Sequence, residues 1–352
     1  MSGNTDRLRV VVATPLAEQL CQLIEKQEPR IELIRDQSLY PPMRHPADFA
    51  GDPGFSRTAG QQRAFEAMLD SADALYGIPD VDPAALKRTA DANPDLRWVH
   101  TMAAGGGGQV KAAGLDPAQL QRIVFSTSAG VHGGPLAEFA VFGVLAGAKD
   151  LPRLLAQQRD HTWSGRWQMR QVAEMTVLVV GLGGIGAEVA RRLSGLGATV
   201  VGTSRHHRPV DHVDRLIRTD QIAATVPDVD AIVLTLPGTA ATERLIGAAV
   251  LAAVKPGTIL VNVGRGTVVD EDALLAALRD GRIGFAALDV FVAEPLPADS
   301  PLWDEPNVLV SPHTAALNAA EDRLIAELFA ANASRLLNGE QLRNVVDTVD
   351  FY

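Results

Sequence analysis

The chain has 352 residues, 47% of them apolar, and a formal net charge of −10. That length exceeds what one ordinary hydrophobic core fills, so two domains are expected and whole-chain disorder is excluded. The acidic balance argues against nucleic acid as a partner but leaves small anions open, because a local basic pocket can oppose the global sign.

The first residues, Met1 to Arg7, lack the basic-then-apolar pattern of a signal peptide. The longest apolar run, Phe139 to Ala148, is too short to span a bilayer, so a cytoplasmic protein with no membrane partner is expected. The single cysteine, Cys21, permits neither an intramolecular disulfide nor a cysteine metal cluster, and its apolar helical setting makes it a core thiol.

In chain order, "LRVVVATP" reads as a strand, Leu16 to Lys26 as a helix and Ile31 to Ile34 as a second strand. Tyr40 to Gly60, rich in proline and glycine, has no apolar period and reads as a long excursion, expected to be mobile. Alternation resumes with "ADALYGI", "LRWVHTM" and "RIVFST", which complete a first α/β unit near Phe125. From Ser126 to Arg170 the pattern is helical. Six further apolar runs follow, "MTVLVV", "ATVVGTS", "DAIVLTL", "GTILVNV", "IGFAALDV" and "NVLVSP", and then a helical stretch from Ala315 to Leu337. Near-continuous apolar strands are what a parallel sheet covered on both faces requires. The fold class is therefore α/β with two doubly wound parallel-sheet domains. The expected division is 1–125 with 317–352 as a discontinuous substrate domain and 126–316 as an inserted dinucleotide-binding domain.

Between "TVLVV" and the next helical stretch lies Gly181-Leu182-Gly183-Gly184-Ile185-Gly186, a G-x-G-x-x-G in strand–turn–helix context. Gly181 permits the tight turn, Gly183 lets backbone approach a pyrophosphate, Gly186 allows close helix–strand packing, and Gly184 and Ile185 open a helix whose free N–H groups face the anion. After the second strand, a carboxylate would bind the adenosine ribose of NAD and repel a 2′-phosphate. Ser204 stands there, followed by Arg205, whose planar fork of donors matches a phosphate. NADP is the expected cofactor, with NAD possible.

Three later stretches, "ILVNVGRGTVVDEDAL", "ALDVFVAEPLP" and "VLVSPHTAA", each place a titratable residue just after an apolar strand: Arg265, Glu294 and His313. In an open parallel sheet, ligands sit beyond the carboxyl ends of strands, so these three are expected to converge. Hydride delivery to a ketone carbon builds charge on its oxygen. An imidazolium donates the proton, a carboxylate on its other nitrogen keeps it charged and oriented, and an arginine recognises a carboxylate by two hydrogen bonds. No clustered histidine or carboxylate spacing suggests a metal.

These stretches, with the glycine loop, resemble the D-isomer-specific 2-hydroxyacid dehydrogenases from about Arg97 to Arg343. The resemblance implies a Rossmann cofactor domain inserted in a flavodoxin-like substrate domain. It also implies Arg265 as the binder of substrate carboxylate and carbonyl, His313 as general acid/base and Glu294 as its support. By the same likeness Leu236, Pro237, Thr242 and Val263 line the cofactor, and Asp289 lies near the nicotinamide amide. It implies a homodimer too, its arm built from Pro135 to Gln158 with Trp163 and Trp167 packing there. The expected reaction is reduction of a small 2-keto acid, glyoxylate or hydroxypyruvate first among them, to the D-2-hydroxy acid. A nucleotide-sensing corepressor on the same fold is the alternative.

The chain departs from the family where a loop like "AGVD" is usual, having Ala103-Ala104-Gly105-Gly106-Gly107-Gly108 instead. Backbone amides of Ala104 and Gly105 can still hold a substrate carboxylate, since that task needs no side chain. Consecutive glycines raise the entropy lost on ordering, so this loop is expected to close only with ligand. His132 is expected at the crossing between the domains, in a hinge or capping role.

Overall fold

In the computed structural model, residues 7–204, 209–349 and 351 are described. They fall into two units, Met1–His132 with Leu317–Tyr352, and Gly133–Ala316.

The first unit holds a five-stranded parallel sheet of β1 (Leu8–Val12), β2 (Ile31–Ile34), β3 (Ala74–Tyr76), β4 (Trp98–Thr101) and β5 (Val124–Thr127), in the order β2-β1-β3-β4-β5. That order is the flavodoxin-like arrangement. Because β5 runs beyond Phe125, the first unit carries the chain on to His132, seven residues past the expected boundary at 125. His132 is buried, its Nε2 2.8 Å from Glu321 Oε1 at the start of the helix Glu321–Leu337. Cys21 is fully buried, and burial pushes its thiol up to about 12.

The excursion from Tyr40 to Gly60 is pinned by polar contacts rather than by an apolar period. Tyr40 donates its hydroxyl to Val12 O at 2.8 Å, and Arg44 grips the buried Asp48 with two bonds of 2.7 and 2.9 Å. Arg57 lies 3.8 Å over the Phe65 ring and makes a bidentate pair with Asp80. Such side-chain anchors leave no trace in an apolar repeat. Most of the glycine run also differs from the expected loop. Gly107 begins a short helix, Gly107–Ala112, and a side chain at Gly106 would collide with Thr101, so glycine is required there by close packing.

The second unit holds a seven-stranded parallel sheet of β6 (Thr176–Val180), β7 (Thr199–Thr203), β8 (Arg215–Ile217), β9 (Ala231–Leu234), β10 (Thr258–Asn262), β11 (Ile283–Leu288) and β12 (Val308–Val310). The order β12-β11-β10-β9-β6-β7-β8 is that of a doubly wound dinucleotide-binding sheet, with the strand order reversing at β6. Val177 to Val180, Ala231 to Leu234 and Ile259 to Val261 are all fully buried, which explains their uninterrupted apolar runs.

The stretch from Ser126 to Arg170 is less helical than its composition suggests: β5 takes its start, helices span Gly133–Ala148 and Leu151–Arg159, and 160–171 has no regular structure. The helix Gly133–Ala148 packs on the second sheet through glycines. A Cβ at Gly143 would lie 2.9 Å from Val261 and Ala287, and one at Gly147 2.6 Å from Ile259. Its apolar residues thus find most of their cover within the chain. What stays exposed is narrower: Phe142, Leu154, Leu155 and Trp163. Trp167 sits 4.1 Å beneath the Arg153 guanidinium. No helix among the described residues is long and apolar enough to cross a membrane.

Candidate active site

Beyond β6 the chain turns at Gly181, whose φ of 103° is open to glycine and strained for other residues. The helix Gly184–Gly195 follows. Gly186 touches the Gly181 carbonyl so closely that any side chain would overlap it. Gly183 and Gly184, in contrast, face open space, and with Ile185 they begin the helix with amides that have no carbonyl ahead of them. Tight packing on one side and free backbone on the other fit a bound pyrophosphate.

The loop is held by two threonines that the sequence reading passed over. Thr203, the last residue of β7, accepts the Gly181 amide on its Oγ1 at 2.9 Å, and its carbonyl accepts the Leu182 amide at 2.9 Å. Thr235 donates its hydroxyl to Gly181 O at 2.5 Å. Ser204, half-buried, comes next after Thr203 and so stands beside the glycine loop; Arg205 lies outside the described residues. Leu236 packs on the other side, where a Cβ on Gly181 would come within 2.7 Å of its Cδ2. Thr242 bonds back to Pro237 O at 2.7 Å and closes the following turn, and Val263 is buried with its amide on Leu234 O.

Beyond β10, Asn262 clamps the Arg265 turn from both ends: Oδ1 accepts the Gly264 amide and Nδ2 donates to Arg265 O, each at 3.0 Å. A polar residue closing an apolar run was the available signal. The Arg265 side chain is exposed, with Nη1 on Gly264 O at 2.7 Å.

His313 and Glu294 meet as expected. His313 Nδ1 lies 2.7 Å from Glu294 Oε2, while Glu294 Oε1 accepts the Phe291 amide at 2.9 Å. His313 Nε2 makes no hydrogen bond among the described residues, so one ring nitrogen is fixed by the carboxylate and the other is open to exchange a proton. Burial pushes the Glu294 carboxyl up. The His313 hydrogen bond, the Phe291 amide and the charges of His313 and Arg265 outweigh it, holding Glu294 below its ordinary value. The Arg265 charge is therefore felt at the pair.

Asp289, fully buried after β11, sets the chain that carries His313. Its Oδ1 accepts from Ser311 Oγ at 2.5 Å and from the amides of Thr314 and Ala315 at 3.0 and 3.1 Å. These bonds hold His313 in a left-handed conformation, φ 54°, that a free chain would avoid. Asp289 Oδ2 is buried and unpartnered among the described residues, which fits an N–H donor of a bound group. In the first unit, Ala104 and Gly105 are exposed, and their amides donate to nothing among the described residues.

A dinucleotide loop with a carboxylate-backed histidine on the same parallel sheet defines an NAD(P)-dependent oxidoreductase. Residues 141–315 match the model of the D-isomer specific 2-hydroxyacid dehydrogenase, NAD binding domain. Glyoxylate/hydroxypyruvate reductase B of Pectobacterium atrosepticum is 33% identical over 259 residues, covering 72% of this chain and 80% of that protein. A D-isomer specific 2-hydroxyacid dehydrogenase from Xanthobacter autotrophicus Py2, solved in complex with NADPH and MES, superposes with a TM-score of 0.76 at 29% identity, covering 99% of this chain and 100% of the other. An NADPH-dependent glyoxylate/hydroxypyruvate reductase from Sinorhizobium meliloti, in complex with NADP and sulfate, gives 0.76 at 25% identity and covers 98% of this chain and 100% of its own. The chain belongs to the D-isomer specific 2-hydroxyacid dehydrogenase family.

Proposed function

We propose that this protein catalyses the NADPH-linked reduction of a small 2-keto acid of the glyoxylate or hydroxypyruvate type to the D-2-hydroxy acid. The observation that carries this reading is the 2.7 Å pair of His313 Nδ1 and Glu294 Oε2, which leaves Nε2 free for substrate. When bound, the cofactor supplies the hydride. His313 donates its Nε2 proton to the carbonyl oxygen as negative charge gathers there, and Glu294 keeps the ring charged and aimed during that transfer. Arg265, with an exposed guanidinium whose charge helps hold the Glu294 carboxyl down, binds the substrate carboxylate and polarises the carbonyl. The amides of Ala104 and Gly105, which donate to nothing among the described residues, suit a carboxylate. In the reverse direction a neutral His313 receives the proton from the hydroxyl.

Preference for NADP follows from Ser204 and Arg205 standing where a carboxylate would repel a 2′-phosphate, and relatives crystallised with NADPH and NADP support it. The exposed apolar residues Phe142, Leu154, Leu155 and Trp163 support a homodimer.

Initial rates over a panel of 2-keto acids with NADPH and NADH test the reading. Turnover of glyoxylate or hydroxypyruvate with NADPH is expected, lost in His313→Ala while NADPH still binds. Arg205→Ala should raise KM for NADPH by about 10-fold or more, and leave NADH little changed. Failure of every acid on the panel would instead favour a nucleotide-sensing role.

A further inference from the structure

The turn that presents Glu294 is fastened from a second direction. Phe291 gives its amide to Glu294 Oε1 at 2.9 Å, and the next amide, that of Val292, goes to Glu271 Oε1 at 2.8 Å. Glu271 is the first residue of the helix Glu271–Arg279, six residues beyond Arg265 on the same connection out of β10. Within that connection Gly266 lies flat against the turn: a Cβ there would overlap the Phe291 carbonyl and the Val292 amide. The segment after β10 and the segment after β11 are thus locked together by one backbone contact without room for a side chain and one carboxylate–amide bond. Glu271 shares a surface cavity of about 190 Å³ with Glu243, Arg244, Asp270, Asp272 and Val292. Arg244 approaches Asp270, at 3.9 Å, rather than Glu271. Val292 itself is 54% exposed, so little packing on its side chain competes with the Glu271 bond in placing the turn.

We propose that Glu271 is a positioning residue for the reaction: by taking the Val292 amide it fixes the Phe291–Glu294 turn, and with it the approach of Glu294 to His313. Two carboxylates hold consecutive amides, and only one of them touches the histidine. When the outer one is lost, Val292 turns to solvent, the Phe291 amide loses its aim, and Glu294 holds His313 less firmly. The inference rests on the acid–base reading of His313 and Glu294 given above.

The test compares pH profiles of the full-length protein with NADPH and glyoxylate, or the panel acid turned over fastest, for wild type, E271A, E271Q, E271D, E294Q and E271A/E294Q. A misplaced catalytic group costs about 10-fold or more in kcat, so E271A should lose about that much. It should also move the alkaline fall of kcat/KM to lower pH, in the direction of E294Q but by less, with the KM for NADPH unchanged. E271Q, whose side-chain carbonyl accepts the same amide, should restore both. E271D keeps the charge at the helix N-terminus but falls one methylene short of Val292, and should not. The double variant should follow the E294Q profile. Rescue by E271D and not by E271Q would make Glu271 a helix-terminal charge and overturn the inference, as would an E271A profile left in place while that of E294Q moves. A profile that E294Q itself leaves unmoved would overturn the acid–base reading and this inference with it.

Discussion

Replacing Glu294 by glutamine removes one negative charge 2.7 Å from His313 Nδ1 while keeping the side-chain volume and an oxygen for the Phe291 amide. The size of the effect follows from exposure. The Glu294 and His313 side chains are 36% and 46% exposed, so solvent screens the pair, and an ion pair in that setting is worth about 1 kcal/mol at most. A tenfold change in rate corresponds to about 1.4 kcal/mol, so the substitution should lower reductase kcat/KM at alkaline pH by about 5-fold at most. The sign is set by which form the carboxylate favours. Glu294 stabilises the charged ring, and reduction consumes the ring proton. Reductase kcat/KM should therefore fall with rising pH earlier in Glu294→Gln than in wild type, and oxidation of the hydroxy acid should begin at correspondingly lower pH. On the acid side, the neighbours of Glu294 hold its carboxyl below the usual carboxylate value, so the pair persists through mildly acidic solution and is lost only as pH falls through that lowered value. Initial rates in both directions from about pH 5 to 10, at saturating cofactor, measure this. A Glu294→Gln enzyme whose two profiles overlay those of wild type would refute the pairing as the source of the pH dependence.

His100 gives a stability prediction with the opposite chemistry. It is wholly buried between Ser126 Oγ at 2.8 Å and Ser128 Oγ at 3.1 Å, and burial pushes its imidazole down to about 3. The unfolded chain takes up a proton near pH 6.5 while the folded chain does not until about 3, so this contribution is complete above 6.5 and declines by up to about 1.4 kcal/mol per pH unit below it. The urea midpoint should fall between pH 6.5 and 4, less steeply in His100→Gln; equal slopes would show that His100 does not carry the effect. Light scattering at micromolar concentration should give twice the mass of one chain, and Phe142→Glu with Leu155→Glu, both on exposed apolar residues, should shift it toward one; a wild type of single-chain mass would contradict the dimer.

The elements most legible in the sequence were those with local causes. Strands buried on both faces must be apolar throughout, so β6, β9 and β10 announced themselves as uninterrupted runs. The glycine loop was legible because a positive φ at Gly181 and a contact too close for a side chain at Gly186 each demand glycine at a set spacing. Arg265, Glu294 and His313 were legible because each follows a strand, and parallel strands all end on one side of a sheet. The pairing of Glu294 with His313 was expected from that rule, from acid–base chemistry and from the family resemblance, and the fold supplied its 2.7 Å distance.

What tertiary structure alone decided is what leaves no periodic trace in the chain. No period marks Arg44 and Asp48 as anchors of the Tyr40–Gly60 excursion, and only the packing of Arg57 on Phe65 and Asp80 shows why that segment is placed. Composition made Ser126 to Arg170 look helical throughout, yet hydrogen bonding to β4 made its first residues a strand, and glycines at 143 and 147 let the helix lie on β10 and β11. Thr203, Thr235 and Glu271 have no signature because each acts on the backbone of a neighbouring turn, and a side chain bound to backbone leaves no constraint on the identity of the residue it serves. Local sequence therefore specified the strands, the phosphate loop and the titratable groups at the strand ends, since burial and backbone dihedral angle act residue by residue. Their distances and supports were decided only when the two turns beyond β10 and β11 packed against each other, because that contact joins segments whose separation along the chain carries no periodic trace.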